Sequence, residues 1–206
     1  MVATRLGARR VVALRWRSEL IVDEVRRHYL KLWGEPSRKA SFNVLGHAIE
    51  VYKWESTRNT EQVNIYATLG ASAHALPKGA PAHRLEYFVG LEPAEDGIAK
   101  PLAMAALDPV LHKTELDHGH SVTYPEPLWP GTDMHSLLVL RPVIQIVPPF
   151  VTDGLHVDFM QMIPVYPSEV EFKTATRIDA LIELWQSARV AFWDPNRPAE
   201  PADHRA

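Results

Sequence analysis

Cysteine is absent from the 206 residues. That absence excludes disulfide staples, thiolate metal sites and cysteine nucleophiles together. It fits a reducing compartment, so a cytoplasmic location is the expectation. Long apolar runs are missing too: none approaches the ~20 residues that cross a bilayer, and no membrane association is expected. Neither charge sign dominates. The 22 Lys+Arg against 25 Asp+Glu leave a net charge of -3, which gives no general attraction to nucleic acid. No stretch matches the glycine-rich phosphate loop or the dinucleotide fingerprint, so no cofactor is expected. What is present is a globular composition. Hydrophobic residues make up 46% and charged residues 23%, close to the averages of ~45–50% and ~25%. Disorder throughout the chain is thereby excluded, and one domain is the default at this length.

The charge is unevenly placed. Residues 1–40 hold ten Lys+Arg and four Asp+Glu, whereas residues 41–206 hold 12 and 21, a net -9. Arg5, Arg9, Arg10, Arg15 and Arg17 precede the first acid, Glu19. A transit peptide can have this composition, but a secretory signal cannot, because Val11 to Leu14 supplies too short an apolar core. Residues 1–17 are read as a basic arm, 18–192 as the domain, and 193–206 as a flexible, proline-rich tail.

Periodicity divides the domain. Leu20, Ile21, Val25, Tyr29, Leu32 and Trp33 recur at helical spacing, with Ser18 as N-cap and Gly34 with Pro36 as the stop. Ala48–Trp54 suits a strand. Gln62–Leu69 alternates as a half-buried strand, and Arg84–Leu91 is the next. Pro101 sits in the first turn of a helix, where Pro109 is expected to kink or restart it. Asp117–Trp129 reads as a loop. Leu137–Leu140 is a short strand, and Val143–Val147 is a candidate for another. Asp153-Gly154 is a hairpin turn signal. Leu155–Val165 alternates with apolar groups on both faces and is read as a central, doubly covered strand. Pro167 opens a short helix. Thr176 with Asp179 resembles a capping box before a helix whose face is Ile178, Leu181, Ile182, Trp185 and Phe192.

Chemical motifs are weak. The tightest histidine cluster is Asp117-His118-Gly119-His120, but a metal needs a third ligand and outer-shell support; hydrogen-bonding histidines are the plainer reading, and no metal is expected. Gly70-Ala-Ser72 and Gly119-His-Ser121 are not nucleophile elbows. Glu169 and Glu171 stand at i and i+2 on a helix, about 200° apart, so they would not share a site. A helix-start dipole contact and a solvated charge suit them better. Trp129, in a proline-rich loop, is the tryptophan expected to be exposed.

The order of segments carries more. Thr68-Leu-Gly-Ala-Ser72 precedes Leu85-Glu-Tyr-Phe-Val89, then Pro101-Leu-Ala-Met-Ala-Ala-Leu107 and Gly119-His-Ser-Val122. Val157-Asp-Phe-Met-Gln-Met-Ile-Pro-Val165, Tyr166-Pro-Ser-Glu-Val-Glu-Phe172 and Asp179-Ala-Leu-Ile-Glu-Leu184 follow. Over roughly residues 20–190 this series resembles the Suppressor of fused domain family, in particular its small bacterial members. The resemblance implies an α/β (α+β) fold, a central mixed sheet flanked by helices, and a non-catalytic domain. Animal members take a transcription-factor peptide strand into a cleft, and bacterial relatives are proposed to neutralise toxins. The chain is expected to lack the second, C-terminal domain of the animal pattern, and His120 stands where that pattern has an acid.

On this reading the protein binds another protein, with a basic toxin domain as the sharper version. The candidate partner-binding residues are Gly70, Ser72, Gly119, His120, Trp129, Glu169 and Glu171. The alternative is a small hydrolase or metal-dependent enzyme built on His118 and His120. Neither the oligomeric state nor the partner is legible.

Overall fold

The computed structural model describes residues 19–77, 80, 82–142 and 145–200. The basic arm and the Ser18 cap lie outside them. Helix α1 covers residues 19–33. It buries Ile21, Val25, Tyr29 and Trp33, one residue per turn, so a single stripe faces inward. Gly34, at φ 72°, ends it, and its N–H closes on the Leu30 carbonyl at 2.9 Å.

Eight strands follow: β1 (Arg38–Val44), β2 (His47–Trp54), β3 (Asn64–Leu69), β4 (His83–Leu91), β5 (Ser121–Thr123), β6 (Ser136–Leu140), β7 (Phe150–Thr152) and β8 (Leu155–Val165). They form one mixed sheet in the order β1-β2-β3-β4-β8-β6-β5, with β7 also paired to β8. The first four make an antiparallel meander. Strands β4 and β8 run parallel, from His83 opposite His156 to Phe88 opposite Gln161. That crossover contains α2 (Ala99–His112); α3 (Pro167–Ala175) and α4 (Ile178–Ala188) follow β8.

Helix α2 covers one face, packing Leu102, Ala106 and Leu107 on Ile49, Tyr87, Val139 and Met160. The other face has two separate covers. Helix α1 packs on Trp54, Ile65, Phe88 and Phe159 at one end. At the other end Leu181 and Trp185 of α4 pack on Leu138, Ile163 and Val165.

The Asp153-Gly154 turn joins β7 to β8, with Thr152 opposite Leu155 and φ of 45° and 72° at the two turn residues, as a two-residue hairpin requires. Several expectations are corrected. Strand β3 is buried on both faces rather than one, because α1 and α2 sandwich it. Strand β1 escaped the periodicity reading because it is an exposed edge with mostly polar residues. Strand β5 forms inside the expected 117–129 loop. Residues 145–147 are not strand, while 143–144 lie outside the described residues; the strand comes after Pro148-Pro149, as β7. Helix α2 runs on through Pro109 and does not restart there. Helix α4 has Arg177 at its N-cap without a side-chain bond, and the Thr176 hydroxyl instead donates to the Phe172 carbonyl at 2.7 Å. The tail expected to trail free from 193 is packed as far as 200: Pro195 is buried and Arg197 is 3% exposed.

Candidate functional site

Strands β4 and β8 part after Phe88 and Gln161. Backbone chemistry keeps the ladder from resuming. The His156 N–H donates to the Ala82 carbonyl at 2.8 Å, so even-numbered residues of β8 present their backbone groups to β4. The next rung, from the Gly90 N–H to the Met162 carbonyl, is not made, and the one after it would need an N–H from Pro164, which proline lacks. The Pro164 carbonyl is already occupied, accepting Arg197 Nη2 at 3.1 Å. Past the split, β4 stays with β3 through Gly90 opposite Ile65, and β8 stays with β6 through Ile163 opposite Leu138.

Over this split, between the α1 and α4 covers, lies a cleft of about 680 Å³. Gly90, Val63, Gln161 and Ile163 lie along its sheet side; Ile182 and Trp185 of α4 and Phe192 and Trp193 beyond it form a wall. The lining is mostly apolar. A Cβ at Gly90 would stand 2.9 Å from Val63 Cγ2, so glycine keeps this part open. Trp193 is held by its carbonyl, which accepts the Glu92 N–H at 2.9 Å, yet its side chain stays 43% exposed. Such a large aromatic, anchored by its backbone and left uncovered, is what a docking wall needs.

Charges sit around this apolar lining: Glu61, Arg141 and Arg189, with His118 beside them. Arg141 is tied to Asp117 at 3.1 Å, and its N–H donates to His118 Nδ1 at 3.1 Å. Burial pushes the Asp117 carboxyl up, but the His118 N–H and the Arg141 guanidinium outweigh it and hold it below the ordinary range.

The residues singled out from sequence do not converge. Gly70 and Ser72 are buried and belong to a cage around Glu86, which is 0% exposed. One Glu86 oxygen accepts the Gly70 N–H at 2.9 Å, the Ser72 N–H at 3.0 Å and the Ser72 hydroxyl at 2.6 Å; the other accepts the Thr68 hydroxyl at 2.6 Å. Burial raises the Glu86 carboxyl, and these bonds offset part of that rise. Trp129, expected to be exposed, is only 5% exposed. It packs into the α2 core against Gly97, where any Cβ would stand 2.6 Å from its own.

Glu169 is also fully buried, pairing with Arg197 at 2.6 Å. It does serve the start of α3, accepting the Tyr166 N–H at 2.9 Å. Glu171 is exposed. Gly119 lies under Ile178, and its carbonyl accepts Lys173 Nζ at 2.9 Å; burial lowers that lysine's pKa. His120 is exposed, with Nδ1 at 2.9 Å from the Glu115 carbonyl.

His118 and His120 therefore hold loop backbone, and no third ligand accompanies them among the described residues. A different trio, His83, His156 and Asp158, brings its ligand atoms within 4.8 Å of one another. Among the described residues no helix is long and apolar enough to cross a membrane.

The sequence matches the family described as Suppressor of fused protein (SUFU) over residues 46–198. No curated protein matches it. Among solved structures, a SUFU homologue from Neisseria gonorrhoeae superposes with a TM-score of 0.63 at 16% identity, covering 85% of this chain and 93% of that one. The Sufu-Fu complex gives a TM-score of 0.59 at 15% identity, over 87% and 89% of the two chains. Drosophila Suppressor of Fused gives 0.60 at 15%, over 86% of this chain and 49% of its own. These likenesses establish the shared fold.

Proposed function

The chain belongs to the Suppressor of fused protein (SUFU) family, and from that premise we propose that it is a non-catalytic binding protein whose β4–β8 cleft takes an extended segment of a partner protein. The observation that carries this reading is the split itself. Beyond Phe88 and Gln161 the parallel ladder stops, and the Gly90 backbone faces a mostly apolar cleft. A peptide strand laid there gains main-chain hydrogen bonds, while its alternate side chains meet Ile163, Ile182 and Trp193. A solved relative in fold is itself a complex of Sufu with Fu.

The finer reading is that the partner is a toxin domain and the protein an immunity protein that neutralises it stoichiometrically. Residues 41–206 carry a net -9, with 12 Lys+Arg against 21 Asp+Glu. Toxins that cut nucleic acid need cationic surfaces to hold phosphate, and an acidic body would draw them in. Attraction then sets the encounter, and the apolar cleft sets the lifetime of the complex.

The test is co-expression with the toxin-like product of a neighbouring gene. Wild type should restore growth and co-purify as a one-to-one complex. An Ile182→Asp/Trp193→Ala variant, verified as folded by its thermal midpoint, should do neither. A complex indifferent to that variant would remove the cleft from the reading. Neither rescue nor complex with wild type would remove the toxin.

A further inference from the structure

We propose that His83, His156 and Asp158 form a binding site for a divalent transition ion of the zinc class. The site is far from the cleft, at the other end of the β4–β8 ladder. His83 and His156 are direct register partners on the two parallel strands. Asp158 lies two residues beyond His156, so the strand's two-residue period puts it on the same face. That is the face of Leu85 and Met160, which belong to the α2-side core. The three polar side chains stand at its rim: His83 and Asp158 are half-buried and His156 is exposed.

The distances suit one ion. His83 Nε2 lies 2.6 Å from Asp158 Oδ2, and His156 Nδ1 lies 3.5 Å from Asp158 Oδ1. The ligand atoms of all three residues fall within 4.8 Å of one another. In a tetrahedron with metal–ligand bonds of about 2.0–2.1 Å, ligand atoms stand about 3.3–3.4 Å apart. The short His83–Asp158 pair has to open by less than an ångström; His156 faces the other carboxylate oxygen, so its exposed ring has to turn toward the shared one, and no pair of ligand atoms has to close by more than about 1.5 Å. Both imidazoles offer a nitrogen, and the carboxylate supplies a compensating negative charge. Two imidazoles with one carboxylate favour zinc, nickel or copper over magnesium or calcium, which prefer oxygen.

Three protein ligands leave a fourth position, which a water can fill. A crevice of about 40 Å³ adjoins His83, and a water needs only ~10–15 Å³ of such space. A bound ion would clip the N-terminal ends of β4 and β8 together. Because an ion that binds the folded state alone stabilises it, the site has a thermal readout as well as a binding one.

The experiment is calorimetric titration of zinc chloride into tag-free, chelator-treated protein, with thermal unfolding measured at each point. Wild type should take up one equivalent and unfold at a higher temperature when loaded. His156→Ala and Asp158→Asn should each lose about tenfold or more in affinity, and the metal-free melting of His156→Ala should stay close to wild type, since His156 is 49% exposed. His118→Ala/His120→Ala should bind as wild type does. Zinc uptake that follows the His118/His120 variant instead, uptake unchanged in the His156 and Asp158 variants, or no stoichiometric uptake, would each overturn the proposal.

Discussion

Arg197 donates to both oxygens of Glu169, at 2.6 and 2.8 Å, with the two side chains 2% and 0% exposed. The same carboxylate accepts Trp185 Nε1 from α4 at 3.1 Å and the Tyr166 N–H at 2.9 Å. One buried ion pair thus ties the end of β8, both following helices and the chain after α4. Removing only the cation leaves an uncompensated buried charge. Arg197→Ala should therefore cost about 3–5 kcal/mol, measured by chemical denaturation, and should open residues 193–200 to limited proteolysis. The double variant Glu169→Gln/Arg197→Met should cost less than the sum of its singles. A cost below about 1 kcal/mol for Arg197→Ala would show that the tail does not dock in solution.

Phe159 is the second test of the core. It is 3% exposed in the α1-side cluster, with its ring 5.6 Å from that of Tyr29 and 5.4 Å from that of His28. Phe159→Ala should cost about 3–5 kcal/mol as a buried aromatic truncation, read as a shift of the urea midpoint. A loss below about 1 kcal/mol would make β8 peripheral, against the contacts just described.

Local pattern carried some of this and not the rest. Strand β8 was legible because both faces are covered, so eleven residues read as apolar in alternation. Helix α1 was legible because its buried residues fall on one stripe. Strand β1 was not, because it is an exposed edge whose place is fixed by pairing with β2 rather than by its own burial. The ordered segments pointed to the family, and the fold agrees.

The site was less visible. Gly70, Ser72, Trp129 and Glu169 stood out by type and neighbourhood, but they serve Glu86, the α2 core and Arg197. The cleft was missed because its determinant is a missing hydrogen bond. Pro164 lies within a strand, and its effect depends on which edge faces β4. Trp193 lies just past Phe192, the last residue of the helical period, where the sequence reads as tail. His83 and His156 are far apart in sequence, so no spacing motif joins them; only the parallel register does.

If the cleft and the acidic body play separate parts, salt should separate them kinetically. Exposed charges are screened beyond ~8 Å at physiological ionic strength, whereas apolar contact is not. Raising salt should slow association with a basic partner and leave dissociation nearly unchanged. Ile182→Asp should do the reverse, speeding dissociation with little effect on association. Surface-plasmon kinetics over a salt series would show both. Dissociation that quickens with salt as strongly as association slows would mean that ion pairs hold the complex.

Glu86 makes the sharpest prediction about pH. Its carboxylate is fully buried and receives four hydrogen bonds from neutral donors. Burial nevertheless wins, and the folded-state pKa stands above the ordinary glutamate value. A raised carboxyl pKa means that the folded protein holds this proton to higher pH than the unfolded chain does. Between the two pKa values the native state binds more protons, so stability falls as pH rises. The penalty is absent below the ordinary glutamate range and complete above the raised folded value.

The cage can accept a neutral group without loss. A proton or amide N–H on the Thr68 side donates to the Thr68 oxygen, and the Thr68 hydroxyl turns to the Tyr87 carbonyl, already 3.2 Å away. The remaining oxygen keeps the Gly70 and Ser72 donors. Glu86→Gln should therefore be at least as stable as wild type at neutral pH, and its advantage should shrink as pH is lowered toward the ordinary glutamate range. Glu86→Ala strands the Gly70 and Ser72 N–H groups and the Ser72 hydroxyl, and should cost about 3 kcal/mol or more at any pH. Urea denaturation of the three proteins across pH measures this, read as the difference from wild type so that other titrations cancel. A Glu86→Gln variant that is less stable at neutral pH and gains on wild type as pH falls would reverse the sign and show that the cage stabilises the charge.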